Sequence, residues 1–185
     1  MKVKFMLAVV FASYLVAASA CSNKKSNTVK AAEVVQTEAP AVQESVSSNT
    51  PTFVDEKFNA AFQKYLQLKD LLVKGNDEMA KVVAKEVVGS FKQTTFEEVT
   101  KQVGLIANAT NLNEQRAGFV LLNEVLVEAV KKQKVATGVV YLSYCPMAND
   151  NNGAYWLSAE KEIRNPYFGD KMLKCGEMRE EIVSQ

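Results

Sequence analysis

The sequence predicts an all-α fold: an antiparallel four-helix bundle carrying an irregular C-terminal segment with short extended pieces and a terminal helical turn. Apolar residues recur at helical spacing in four successive runs between residues 55 and 132, and the short connections between runs favour antiparallel neighbours. After Gly138 the run Val139-Val140-Tyr141-Leu142 is apolar and branched but too short for a helix, which predicts an extended segment laid on the bundle.

The first helix is expected over residues 55–74, where Ala61, Tyr65, Leu68 and Leu72 share one face and Gly75 ends the run. Asp77 is placed to cap a second helix with Ala80, Val83, Val87 and Phe91 inward. Thr95 and Glu98 fit a capping box for a shorter third helix through Val99, Val103 and Ile106, which tolerates Gly104. The fourth helix spans residues 113–132, with Phe119, Leu122, Leu126 and Ala129 or Val130 inward. These stripes amount to one core of ordinary size for a 185-residue chain.

Ahead of the helices, residues 1–20 combine a basic start, an apolar run and small terminal residues, the pattern of a secretory signal peptide. Ala18-Ser19-Ala20-Cys21 resembles the lipobox of bacterial lipoproteins, which implies that Cys21 becomes the acylated first residue and anchors the protein to a lipid bilayer. Residues 21–52 form a polar segment with Pro40 and Pro51 and no amphipathic period. That composition predicts a disordered tether, and about 30 such residues span on the order of 30 Å. The folded domain is then expected over residues 53–185.

Composition removes several function classes. Lys2 and Lys4 account for two of the 22 basic residues, leaving 20 against 21 acidic groups in the mature chain, so nothing favours nucleic acid. The chain has no histidine, which excludes Ser-His and Cys-His nucleophile pairs, the usual zinc enzyme sites and an imidazole-ligated haem. A thiol oxidoreductase would need a local Cys-x-x-Cys, which is absent. The expectation is a protein that is not an enzyme.

The chemistry concentrates between Tyr144 and Glu177. Pro146 disfavours the helical region for Cys145, so Cys145, Pro146 and Met147 run extended with both sulfurs on one side of the backbone. Met172 and Cys175 are spaced i,i+3 and share a face if their segment is a helical turn. Between the two pairs, Asn151-Asn152-Gly153 and Asn165-Pro166 with Gly169 reverse the chain, and residues 154–157 form a short aromatic strand.

Tyr144-Cys145-Pro146-Met147-Ala148, Gly153-Ala154-Tyr155-Trp156-Leu157-Ser158, Ile163-Arg164-Asn165-Pro166-Tyr167-Phe168-Gly169 and Lys171-Met172-Leu173-Lys174-Cys175-Gly176-Glu177 resemble the C-terminal signature of the family called domain of unknown function 3347. Tyr65-Leu66-Gln67-Leu68-Lys69-Asp70-Leu71-Leu72 and Gln115-Arg116-Ala117-Gly118-Phe119 resemble its earlier blocks. The resemblance implies a helical domain of the bacterial envelope, found alone on lipoproteins or attached to periplasmic adaptors of heavy-metal efflux pumps, with copper as its suspected ligand and no enzymatic activity.

Two readings of the sulfurs follow. In one, Cys145, Met147, Met172 and Cys175 bind Cu(I), the ion that two thiolates and two thioethers select over Zn(II) and over hard divalent ions. The protein is then a periplasmic-facing, membrane-anchored lipoprotein that binds copper beside a metal efflux or homeostasis system, with an efflux adaptor or another envelope protein as partner. In the other, Cys145 and Cys175 form a disulfide, as exported cysteines commonly do. Closing a loop of that length contributes roughly 3 to 4 kcal/mol. The domain is then a stapled structural or interaction module of the cell envelope.

Overall fold

The computed structural model describes residues 50–184, so the signal peptide, Cys21 and all but the end of the tether lie outside the described residues. The described chain begins with β1 (Thr52–Phe53), followed by α1 (Glu56–Lys74), α2 (Asp77–Phe91), α3 (Glu97–Asn108) and α4 (Leu112–Lys131). Then come β2 (Val135–Thr137), β3 (Val140–Cys145), the single turn α5 (Ala148–Asn151), β4 (Ala154–Ser158), a 3-10 turn (Gly169–Lys171) and β5 (Glu177–Ile182). None of the described helices is long and apolar enough to cross a membrane.

This is a mixed α/β architecture, which corrects the all-α four-helix bundle expected from the sequence. β1 and β2 form one antiparallel pair, and β4, β3 and β5 form an antiparallel sheet with β3 in the centre. What looked like an extended piece laid on the helices is therefore the middle strand of a sheet. Its partner β5 escaped notice because Glu-Met-Arg-Glu-Glu-Ile is largely exposed, so hydrogen bonding to β3 defines it as a strand without any alternation of apolar residues to announce it.

Local chemistry sets the helix ends. The Asp55 side chain accepts from the amides of Lys57 and Phe58 at 2.9 and 3.0 Å, filling two of the donors that a helix start leaves open. Gly75, at φ 67°, ends α1 in the left-handed conformation, and the Asn76 amide returns to the Leu71 carbonyl at 3.0 Å. Asn76, and not Asp77, caps α2 through the Met79 amide. The Thr95–Glu98 capping box does not form: α3 starts after Phe96 without a side-chain cap, and Glu98 turns to Lys101 and Gln102. A reciprocal arrangement exists one helix later, where Asn111 accepts from the Glu114 amide and Glu114 reaches back to the Thr110 amide.

Successive helices pack on one another, and β4 lies against α4 and α1, so helices and sheet share one core. Tyr65 of α1 stacks on Phe119 of α4 with centroids 5.4 Å apart. Phe119 in turn meets Tyr167, which meets Trp156 of β4 edge-on at 6.1 Å. Phe53 of β1 closes the other end, edge-on to both Phe58 and Phe62. Fully burying residues of this size contributes about 1.5–3 kcal/mol each, which fixes the platform from which β3 delivers Cys145.

Candidate functional site

Cys145 is the last residue of the central strand, paired with Ala154 of β4 and completely buried. The chain then leaves the sheet through Pro146, and Met147 stands 48% exposed. Next, Asn149, Asp150 and Asn151 hold φ of 53°, 53° and 65°, a left-handed turn. Asn and Asp are the side-chain-bearing residues that tolerate this region best, at a cost of roughly 1–2 kcal/mol per residue for an ordinary one. Gly153 follows at φ 82°, and a Cβ there would collide with the Tyr144 phenol, so the reversal into β4 needs glycine.

Cys175 arrives from the other direction. Met172 ends the 3-10 turn at φ −149°, and the Cys175 amide donates to the Met172 carbonyl at 3.0 Å. The expected helical turn that would put Met172 and Cys175 on one face is thus absent, because the chain opens out at Met172 and enters β5 after Gly176. Asn165 holds this loop. Fully buried, it donates from Nδ2 to the Cys175 carbonyl at 2.7 Å and from its amide to the Leu173 carbonyl at 2.8 Å. Its Oδ1 accepts from the amides of Tyr167 and Phe168 at 2.8 and 3.2 Å. Asn165-Pro166 reads from the sequence as a turn former, and this positioning role is additional. The available signal was a short polar side chain ahead of Pro166, a type suited to bonding nearby backbone.

Gly176 completes the approach. It sits at φ 133°, and a Cβ would come within 2.7 Å of the Trp156 ring and 2.8 Å of the Tyr144 carbonyl. With no side chain there, the backbone after Cys175 lies directly against the residue before Cys145. The two Sγ atoms consequently stand 2.7 Å apart, across 30 residues of sequence. At that separation the two sulfurs are in contact without being covalently joined. The hydrogen bond to Cys145, followed by burial and the charge on Cys145, raises the Cys175 thiol from its ordinary 9.0 to about 11.

The thioethers are placed differently. Met147 and Met172 line one cleft of about 520 Å³ together with Asn113, Arg116, Tyr167 and residues 148–151, and neither cysteine is among its lining residues. Arg116 forms part of the cleft wall, donating from Nε to the Pro166 carbonyl and from a terminal nitrogen to the Leu72 carbonyl. The structure therefore joins Cys145 to Cys175 and places Met147 with Met172 on a neighbouring surface. Among the described residues, no cluster of three or more histidine, cysteine or acidic side chains could hold a metal ion. Of the aromatic residues between the two cysteines, Trp156 and Tyr167 are buried in the core and Tyr155 is 46% exposed.

Residues 61–138 match the family model described as protein of unknown function, DUF3347. That match supports the DUF3347 family over these residues. The matched segment runs from within α1 to the end of β2, so the sheet and the sulfur residues of this DUF3347 chain lie C-terminal to it. No curated protein and no solved structure matches the chain.

Proposed function

We propose that this DUF3347 protein is a lipid-anchored, periplasmic-facing binding protein for a soft metal ion, Cu(I), acting beside a heavy-metal efflux or homeostasis system. The observation that carries the reading is the meeting of two thiols from distant parts of the chain, 2.7 Å apart, next to a cleft lined by two thioethers. In a chain without histidine, the thiols and thioethers are the soft donors, and soft sulfur ligands select Cu(I). Acylated Cys21 would hold the protein at the bilayer, and an efflux adaptor or another envelope protein would exchange the ion with it.

The fit requires movement. A tetrahedral ion with metal–sulfur bonds of about 2.3 Å keeps two sulfurs roughly 3.8 Å apart, so the pair must open by about 1 Å. Cys145 is buried and held at the end of the central strand, whereas Cys175 is in a half-buried loop, which makes Cys175 the sulfur that shifts.

A second reading, a disulfide staple between Cys145 and Cys175 in an interaction domain, is favoured by that same 2.7 Å separation. Titration of the reduced protein with Cu(I) against a chromophoric chelator separates the two. Metal binding predicts one equivalent per chain, near-complete loss in Cys145→Ser or Cys175→Ser, and affinity that strengthens with pH because the ion must displace a thiol proton held up to about pH 11. A staple predicts no uptake by the reduced protein.

A further inference from the structure

We infer that Cys145 and Cys175 form a redox gate on metal binding, in which disulfide formation and ion binding are mutually exclusive states of one sulfur pair. This rests on the metal-binding reading above and adds its regulation. The sulfurs at 2.7 Å lie between two arrangements, short of neither by more than about 1 Å: a covalent bond needs about 2.0 Å, and a shared ion roughly 3.8 Å. Closing the pair consumes both thiols and leaves Met147 and Met172 as the remaining thioethers on the cleft. Opening it presents both thiols and removes the proximity that oxidation needs.

The surroundings define which side moves. The Cys145 backbone is fixed by its pairing with Ala154, and the Cys175 backbone is clamped by Asn165 and by the close seat of Gly176. Side-chain rotation of Cys175 is the freedom left, and one step between staggered wells displaces a cysteine sulfur by roughly 3 Å. That range covers both states without unfolding the loop. Cys175 is also the less buried of the two, so an external disulfide meets it first. Exchange with oxidised glutathione balances: the Cys175 thiolate attacks the glutathione disulfide and expels one glutathione thiol. Cys145 then attacks the Cys175 sulfur and expels the second. The protein loses two protons and two electrons, and the electrons appear in two glutathione thiols.

The test uses the purified full chain in three preparations: reduced, oxidised with oxidised glutathione, and reduced then charged with one equivalent of Cu(I). Free thiols are counted by alkylation and mass measurement, and the state of the pair is followed by fluorescence of the single tryptophan, Trp156, whose ring lies against Gly176. The gate predicts that the oxidised form binds Cu(I) at least 100-fold more weakly than the reduced form. It also predicts that the Cu(I)-charged form resists oxidation by glutathione disulfide at a concentration that closes the empty pair. Re-reduction should restore binding, which excludes damage to the fold. Equal Cu(I) binding by oxidised and reduced protein would overturn the gate and show that the ion is held by groups other than the two thiols. Absence of binding by the reduced form would overturn both.

Discussion

Tyr65 of α1 donates its hydroxyl to Asn123 Oδ1 of α4 at 2.7 Å, and the Tyr65 hydroxyl oxygen accepts from the Leu157 amide of β4 at 2.9 Å. One phenol thereby ties two helices to the sheet inside the core. Burial drives its pKa well above the ordinary value, so it stays neutral and able to donate at any physiological pH. Asn123 extends the network by donating to the Phe119 carbonyl at 2.7 Å.

Tyr65→Phe tests that tie. The ring and its stacking on Phe119 survive the change, while the buried Leu157 amide and Asn123 oxygen lose their partner. The expected cost is about 1–3 kcal/mol, read as a lower urea midpoint with an unchanged slope. A midpoint within error of the parent protein would mean that water or a rearranged Asn123 satisfies these groups.

Lys69 offers a second test. Its ammonium is 1% exposed and lies 2.8 Å from Asp70 and 2.9 Å from Glu160, with the Ser158 hydroxyl donating to the same Glu160 oxygen. Burial acts to raise the Glu160 carboxyl, but the Lys69 charge and the Ser158 and Lys69 hydrogen bonds outweigh it, leaving the group below its ordinary 4.5. Because Glu160 releases its proton more readily when folded than when unfolded, its contribution is present above pH 4.5 and is lost as pH falls through the lower folded value. Denaturation of Glu160→Gln at a series of pH values between 3 and 7 should therefore show lower stability near neutrality and a shallower acid limb than the parent. Parallel curves would show that the carboxylate contributes nothing through its charge.

The four long helices were legible because each has an apolar face of helical period, which in α1 runs through Leu68 and Leu72 to a closing Gly75. The shift at Asn76 arises because Asn76 and Asp77 both suit a cap and only the chain path decides between them, whereas α3 starts after Phe96 with no side-chain cap at all. The sheet was hidden for another reason. β3 carries a recognisable apolar run, but β5 is a charged edge whose existence depends on a partner more than 30 residues earlier, as the pairing of Ser143 with Met178 and Tyr144 with Glu177 records. Period within a segment cannot report such pairing. The Cys145–Cys175 encounter was inferable from residue type, yet its cause, the clamp by Asn165 and the bare Gly176, exists only in the folded chain. The same gap explains why Met172 and Cys175 were expected on one helical face.

Sulfur is the proposed ligand of the bound soft ion, and X-ray absorption at the copper edge of the reduced, Cu(I)-charged protein tests this most directly. The predicted result is a first shell made only of sulfur, which loses scatterers in Cys175→Ser. A shell of nitrogen or oxygen donors, or copper that washes away from the reduced protein, would contradict it.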